Sequence, residues 1–200
     1  MIPSIRRILH LIGWGCAFVF MLAAIRIGVC LANRPPYLMP DTCTFDTGDI
    51  FFSVGDSWES VAVRALSGTS SWEVTDSTPS HCGIVIRDAH WVRLAHASTA
   101  AGKIVIETPD EYLRNNGSYC IYAVKPPCPV SAEGVRQTVD SLVTEGVTFD
   151  FDFDHTTPDA LYCTEMVVTV MESCSCTRLS KLRQHSYIYP NDLLQTIRSD

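Results

Sequence analysis

The N-terminal thirty-odd residues constrain this chain most, because they take themselves out of the fold. Arg6 and Arg7 precede an unbroken apolar run from Leu11 to Ile25, Arg26 interrupts it, and Ile27 to Ala32 resumes it. A basic start followed by such a run reads as a secretory signal or an N-terminal anchor. The uninterrupted run is shorter than the ~20 residues a bilayer crossing needs. Counted through Arg26 to Leu31 it is long enough, with the guanidinium snorkelling to an interface. The arginine pair predicts an inside N-terminus and an exported body. Leu31–Ala32 offers a passable cleavage site, so a cleaved signal peptide and a retained signal anchor both stand for residues 1–32. A lipoprotein cysteine at Cys30 is disfavoured because Val29 before it is not small. The bland alternative is a buried core helix.

Asn33-Arg34-Pro35-Pro36 cannot continue a helix, which makes 33–40 a linker and 41–200 the body. Three of the 15 basic residues and none of the 22 acidic ones precede residue 33. The body is therefore acidic and lacks the basic surface that nucleic-acid binding requires. With 46% hydrophobic and 18% charged residues, the chain has the means to bury a core and is not of the disordered class.

Turn residues and apolar patterning predict strands at 50–54, 82–87, 91–96, 103–108 and 120–124. Helices are expected at 58–66, 110–114, 132–145, 163–172 and 190–197, the first with Trp58, Val61, Ala62, Ala65 and Leu66 on one face. Residues 67–79 read as a polar loop. Strands in succession with helices before and after indicate an α+β domain, a small antiparallel sheet packed against helices.

Two segments carry chemistry. In Ser80-His81-Cys82-Gly83-Ile84-Val85-Ile86 a histidine opens an apolar strand; in Tyr162-Cys163-Thr164-Glu165-Met166-Val167 a cysteine opens a helix. Alone, each is more often a core residue. At a helix N-terminus, however, free N–H groups and the macrodipole stabilise a thiolate and can receive an oxyanion. A histidine across a cleft would keep the thiol ionised and later protonate a leaving group.

These segments, with Gly48-Asp49-Ile50, Leu94-Ala95-His96-Ala97, Phe149-Asp150-Phe151-Asp152-Phe153 and Tyr189-Pro190-Asn191-Asp192-Leu193, stand in an order that resembles the YiiX/YebB branch of the NlpC-type cysteine hydrolases. The likeness runs from about Thr47 to Leu194. It implies a circularly permuted papain-like fold in which the histidine strand precedes the cysteine helix. Carried over residue by residue, it implies Cys163 as nucleophile, His81 as general base, His96 as the third residue orienting His81, and Tyr162 as a neighbour of the oxyanion site through its hydroxyl. The sequence departs from the pattern at His96, where relatives more often have Glu. A neutral imidazole holds a tautomer but supplies no fixed charge. The lecithin retinol acyltransferase group also resembles a His–His–Cys set. Cys82 and Thr164 are milder departures, standing where an aliphatic residue and Ser are usual.

Glu107 or Glu111 could replace His96 as orienter, but both read first as solvated carboxylates. Asp150, Asp152, Asp154 and His155 imitate the start of a calcium loop, yet His155 and Leu161 occupy the positions that need Gly and Glu. Cys174-Ser175-Cys176 lacks a second pair at zinc spacing, so neither metal nor cofactor is expected. His10, His90, His155 and His185 read as anchor, loop or surface residues. Of the cysteines outside the N-terminal segment, Cys163 is reserved for catalysis and Cys82 reads as a free core thiol. Among Cys43, Cys120, Cys128, Cys174 and Cys176, Cys120 with Cys128 closes the shortest plausible loop apart from the adjacent pair, but connectivity does not follow from sequence.

Three functions are expected. The first is an exported, membrane-anchored or periplasmic hydrolase that cleaves an amide through an acyl-enzyme on Cys163, by resemblance on a cell-envelope peptide such as a peptidoglycan stem. The second is a thiol acyltransferase or esterase acting on lipids. The third is a membrane-tethered binding module with an eroded site.

Overall fold

The computed structural model describes residues 5–32, 38–67, 77–154, 156–157 and 159–199. In chain order these form α1 (Ile5–Ala32), β1 (Ile50–Gly55), α2 (Trp58–Leu66), β2 (His81–Arg87), β3 (Val92–Ser98), β4 (Lys103–Glu107), α3 (Pro109–Asn115) and β5 (Ser118–Val124). There follow α4 (Ala132–Thr144), β6 (Thr148–Phe149), β7 (Ala160–Leu161), α5 (Cys163–Ser173) and α6 (Pro190–Arg198), with 3₁₀ turns at Thr42–Thr44 and Thr177–Gln184. Most of the 33–40 linker, most of the 67–79 loop and His155 lie outside the described residues.

The strands make one sheet in the order β5-β1-β2-β3-β4-β6-β7. The architecture is α+β as expected, but the sheet is neither small nor wholly antiparallel. It has seven strands, and β6 pairs with β7 in parallel, Thr148 opposite Ala160 and Phe149 opposite Leu161. The two extra strands are two residues long, too short to show an alternating pattern. They are stitched on through the backbone, Phe149 N–H donating to Gly102 and Asp150 N–H to Leu161.

Both faces of the sheet are covered. Every residue of β1 is buried, with Ile50 and Phe52 in a large core under α4, α5 and α6, and Phe51 in a smaller one with Tyr112 and Leu113 of α3. Helix α5 is buried over Cys163–Val168, as befits a helix apolar around most of its circumference. Residue Gly83 on β2 is required by close approach: a Cβ there would lie 2.3 Å from the Ala95 carbonyl and 2.5 Å from the Phe51 ring.

Helix α2 has the expected apolar face, but it is only half covered. Trp58 and Leu66 are exposed, while Val61 and Ala65 are buried. Their partner is Cys30 in the last turns of α1, not the body core. Arg64 donates to the Cys30 carbonyl at 3.4 Å and Arg26 to the Ser67 carbonyl at 3.5 Å. A second correction concerns the cysteines. The disulfide joins Cys128 to Cys176, and neither Cys120 nor Cys174 takes part in one. Cys120 is held within β5 opposite Val54. Beyond Pro126-Pro127 the chain has left the sheet for the end of α5, where Cys176 sits.

Candidate active site

The site forms where two strands part. β2 stays paired with β1 down to Ser53 opposite His81. Its register with β3 runs only from Arg87↔Val92 to Ile84↔Ala95. Beyond that point the start of β2 is open on its β3 side. Helix α5 packs against β2 and brings its first residue, Cys163, to this opening. The helix start is pinned by the Ile188 peptide: Ile188 N–H donates to the Tyr162 hydroxyl at 3.2 Å, and Thr164 Oγ1 donates to the Ile188 carbonyl at 2.7 Å. The Tyr162 ring is buried and stacked on Tyr187, 5.1 Å apart. The N-cap residue Tyr162 puts no side-chain cap on α5, and the first-turn amides have no partner within the helix.

A line of hydrogen bonds runs outward from His81, the neighbour of Cys163. The Cys163 sulfur is electrostatically coupled to the Cys82 thiol and to the His81 imidazole. His81 Nε2 lies 3.1 Å from His96 Nδ1. His96 Nε2 lies 2.9 Å from Glu107 Oε2. Glu107 in turn accepts from Asn115 Nδ2 at 2.6 Å and Asn116 Nδ2 at 3.3 Å. His96 is wholly buried, walled edge-on by Tyr112 at 4.8 Å and Phe51 at 6.5 Å. The Tyr112 hydroxyl is fixed 2.7 Å from Ser53 Oγ.

The protons on this line can be assigned. Glu107 is held ionised, its pKa drawn down to about 2 chiefly by the hydrogen bond from His96 and further by Asn115 and Asn116. An ionised carboxylate only accepts, so His96 carries its proton on Nε2. Burial pushes the His96 pKa below its ordinary value, outweighing Glu107. It is neutral at pH 7, and its Nδ1 must accept from His81 Nε2–H. That leaves His81 Nδ1 to serve Cys163. The Cys163 thiol is drawn well below the ordinary cysteine value, first by the hydrogen bond from Cys82 and then by the His81 charge and hydrogen bond, against burial. Burial pushes the Cys82 thiol the other way, which keeps it a donor.

The structure therefore brings together His81, His96 and Cys163, the residues singled out from sequence, and sets Tyr162 at the helix start with its hydroxyl engaged by Ile188. Glu107, read first as a solvated carboxylate, is the outer end of the line. Glu111 is not: its carboxylate accepts from Thr108 N–H at 2.9 Å, closing a capping box on α3. Register carried the missed signal. His96 stands opposite Val105 and Leu94 opposite Glu107, so Glu107 is the diagonal neighbour of His96 on one face. Cys82 and Tyr112 were also missed as site residues. Asp150, from the calcium-like run, spends both oxygens on the backbone N–H groups of Asp152 and Asp154.

No known family profile matches the chain, and no curated protein matches its sequence. Among solved structures it is similar to a crystal structure of the metalloprotein YiiX from Escherichia coli O157:H7, at 20% sequence identity and a TM-score of 0.50. The match covers 64% of this chain and 66% of that one. At this identity the likeness is one of fold.

Proposed function

We propose that this chain is a membrane-anchored, exported thiol hydrolase of the permuted papain-like, NlpC-type architecture, acting through an acyl-enzyme on Cys163. The observation that carries the reading is the hydrogen-bonded line His81–His96–Glu107, which starts beside the Cys163 thiol at the head of α5. The thiolate attacks an amide carbonyl carbon, and the oxyanion is received by the first-turn amides of α5, with Tyr162 beside them. As the C–N bond breaks, His81 Nδ1 gives its proton to the departing amine. Water then attacks the thioester, passing a proton to His81. The C–S bond breaks, the acid leaves and the thiolate–imidazolium pair returns. His96 and Glu107 hold the His81 tautomer and stabilise its charge. An eroded site would have no use for Glu107, and this disfavours the binding-module reading. By resemblance the substrate is a cell-envelope peptide. The Cys128–Cys176 bridge accords with an oxidising compartment.

A metal does not fit this site. The ring nitrogens of His81 and His96 that face each other share a proton, and the remaining His96 nitrogen donates to Glu107. Among the described residues no group of three or more His, Cys, Asp and Glu side chains is arranged to hold a metal ion.

The test uses the full chain in detergent. It is incubated separately with muropeptides and with phospholipid, and thioester adducts on Cys163 are sought by peptide mass spectrometry. Adducts from muropeptides that vanish in His81→Ala support the reading. Adducts from phospholipid alone would transfer the same machinery to lipid esters. No adduct from either, with alkylation of Cys163 equal in wild type and His81→Ala, would remove the mechanism.

A further inference from the structure

Helix α2 carries one apolar arc, of which only half is covered. On a helical wheel Val61 and Ala65 lie about 60° and 20° to one side of Trp58, and Ala62 and Leu66 about 40° and 80° to the other. The first pair is buried against Cys30 of α1. On the other side Trp58 is 78% and Leu66 59% exposed. What lies beside α1 is therefore what meets the uncovered half. α1 contains a 21-residue span, Ile12–Ala32, long and apolar enough to cross a membrane. At ~1.5 Å per residue it matches a hydrocarbon core of ~30 Å. Arg26, six residues inside the outer end of that span, donates to Ser67 at the C-terminus of α2, and Arg64 of α2 donates to the Cys30 carbonyl two residues from that end, which lays α2 beside the outer third of the span.

We infer that α2 is a second membrane contact: Trp58 and Leu66 seat the body on the surface of the bilayer that α1 spans. Trp is suited to that depth, with an apolar ring and a polar N–H. The seat also adjoins the candidate active site. Ser60 of α2 lies against Gly55, whose N–H donates to Ser80 Oγ at 2.9 Å, and Ser80 immediately precedes His81. The sheet end that carries His81 is thereby turned toward the membrane surface, and the opposite end, with Trp91 in the β2–β3 turn, is held away from it. The inference does not rest on the chemistry of Cys163.

The experiment uses the full chain in phosphatidylcholine vesicles with three of its four tryptophans replaced by Phe, so that Trp14, Trp58 or Trp91 remains as sole emitter. Emission is compared in vesicles with and without bromine on the acyl chains near the carbonyls. Trp14 is the positive control for insertion. The expected result is that Trp58 loses the larger part of its emission to the brominated lipid and Trp91 loses none. Trp58 emitting as in water and unquenched, with Trp14 quenched, would overturn the inference. Trp58 blue-shifted but unquenched would also overturn it, since a protein surface, a second copy of this chain or another partner, would then cover α2.

Discussion

Replacing Glu107 by Gln tests the relay at its outer end, where no substrate atom reaches. The carboxylate accepts three hydrogen bonds, one from His96, one from Asn115 and one from Asn116. An amide has one acceptor oxygen. If it faces His96, the new NH₂ group opposes the Asn115 donor, which sits at the surface and can turn its own amide to accept. Then only the charge is lost. From 4.5 to about 2 the coupling is about 3 kcal/mol before screening, and solvent access to this carboxylate reduces it to about 1–2 kcal/mol. If the NH₂ faces His96 instead, His96 must move its proton to Nδ1 and His81 Nε2 must accept. The His81 proton then sits on Nδ1, where it cannot take one from Cys163. A wrong tautomer of this kind costs about 10⁴-fold in a comparable triad. Alkylation of Cys163 by iodoacetamide at pH 7, followed by peptide mass spectrometry on the full chain, is therefore expected to slow by about tenfold to 10⁴-fold. The pH midpoint should move up toward the free-thiol value of ~8.5. Thermal unfolding measured alongside separates this from a folding defect. A rate and midpoint equal to wild type, with the fold intact, would refute the relay and leave Glu107 a surface carboxylate.

Three further outcomes are expected. Gly83→Ala forces a methyl group into the Ala95 carbonyl and the Phe51 ring and should destabilise by about 1–3 kcal/mol or more, read by chemical denaturation. Replacing Cys128 and Cys176 together by Ser opens a bridge spanning 48 residues. It should cost about 2–4 kcal/mol and leave the alkylation rate of Cys163 unchanged, because neither residue touches the relay. Acid should weaken the fold in two stages. The folded-state pKa of His96 lies below its ordinary 6.5, so the unfolded chain takes up that proton first and stability falls as pH drops below about 6.5. Glu107 is depressed from 4.5 to about 2, so its contribution is whole above about 4.5 and fades as pH falls through that interval. His96→Asn should abolish the first stage in a pH series of melting temperatures, and Glu107→Gln the second.

The fold was legible wherever burial imposes a period. β1 to β5 and α2 to α6 lie within a few residues of their expected places because each presents apolar residues at strand or helix spacing to one layer. β6 and β7 were not legible: two backbone pairings leave no pattern in side chains. The covering of α2 was not legible for a different reason. Its apolar arc is genuine, but periodicity gives the face a helix prefers to bury and not the partner, which for Val61 and Ala65 is α1.

The site divides along the same line. Cys163 and His81 stand out in the sequence because each opens an element, at positions the chain itself marks: a helix start, and a strand end beyond the last β3 pairing. Glu107 sits inside a hairpin, indistinguishable in composition from any carboxylate on a strand. What separates it from Glu111 is register, set by the turn at Thr99–Gly102: the chosen pairing puts position 107 diagonal to His96 and on its face, whereas a slip of one residue would have turned it to the opposite face. In the proposed mechanism the histidine at position 96 and the carboxylate behind it are then one feature: the neutral imidazole would pass the orienting role one bond outward, and the charge that it lacks would come from the next strand.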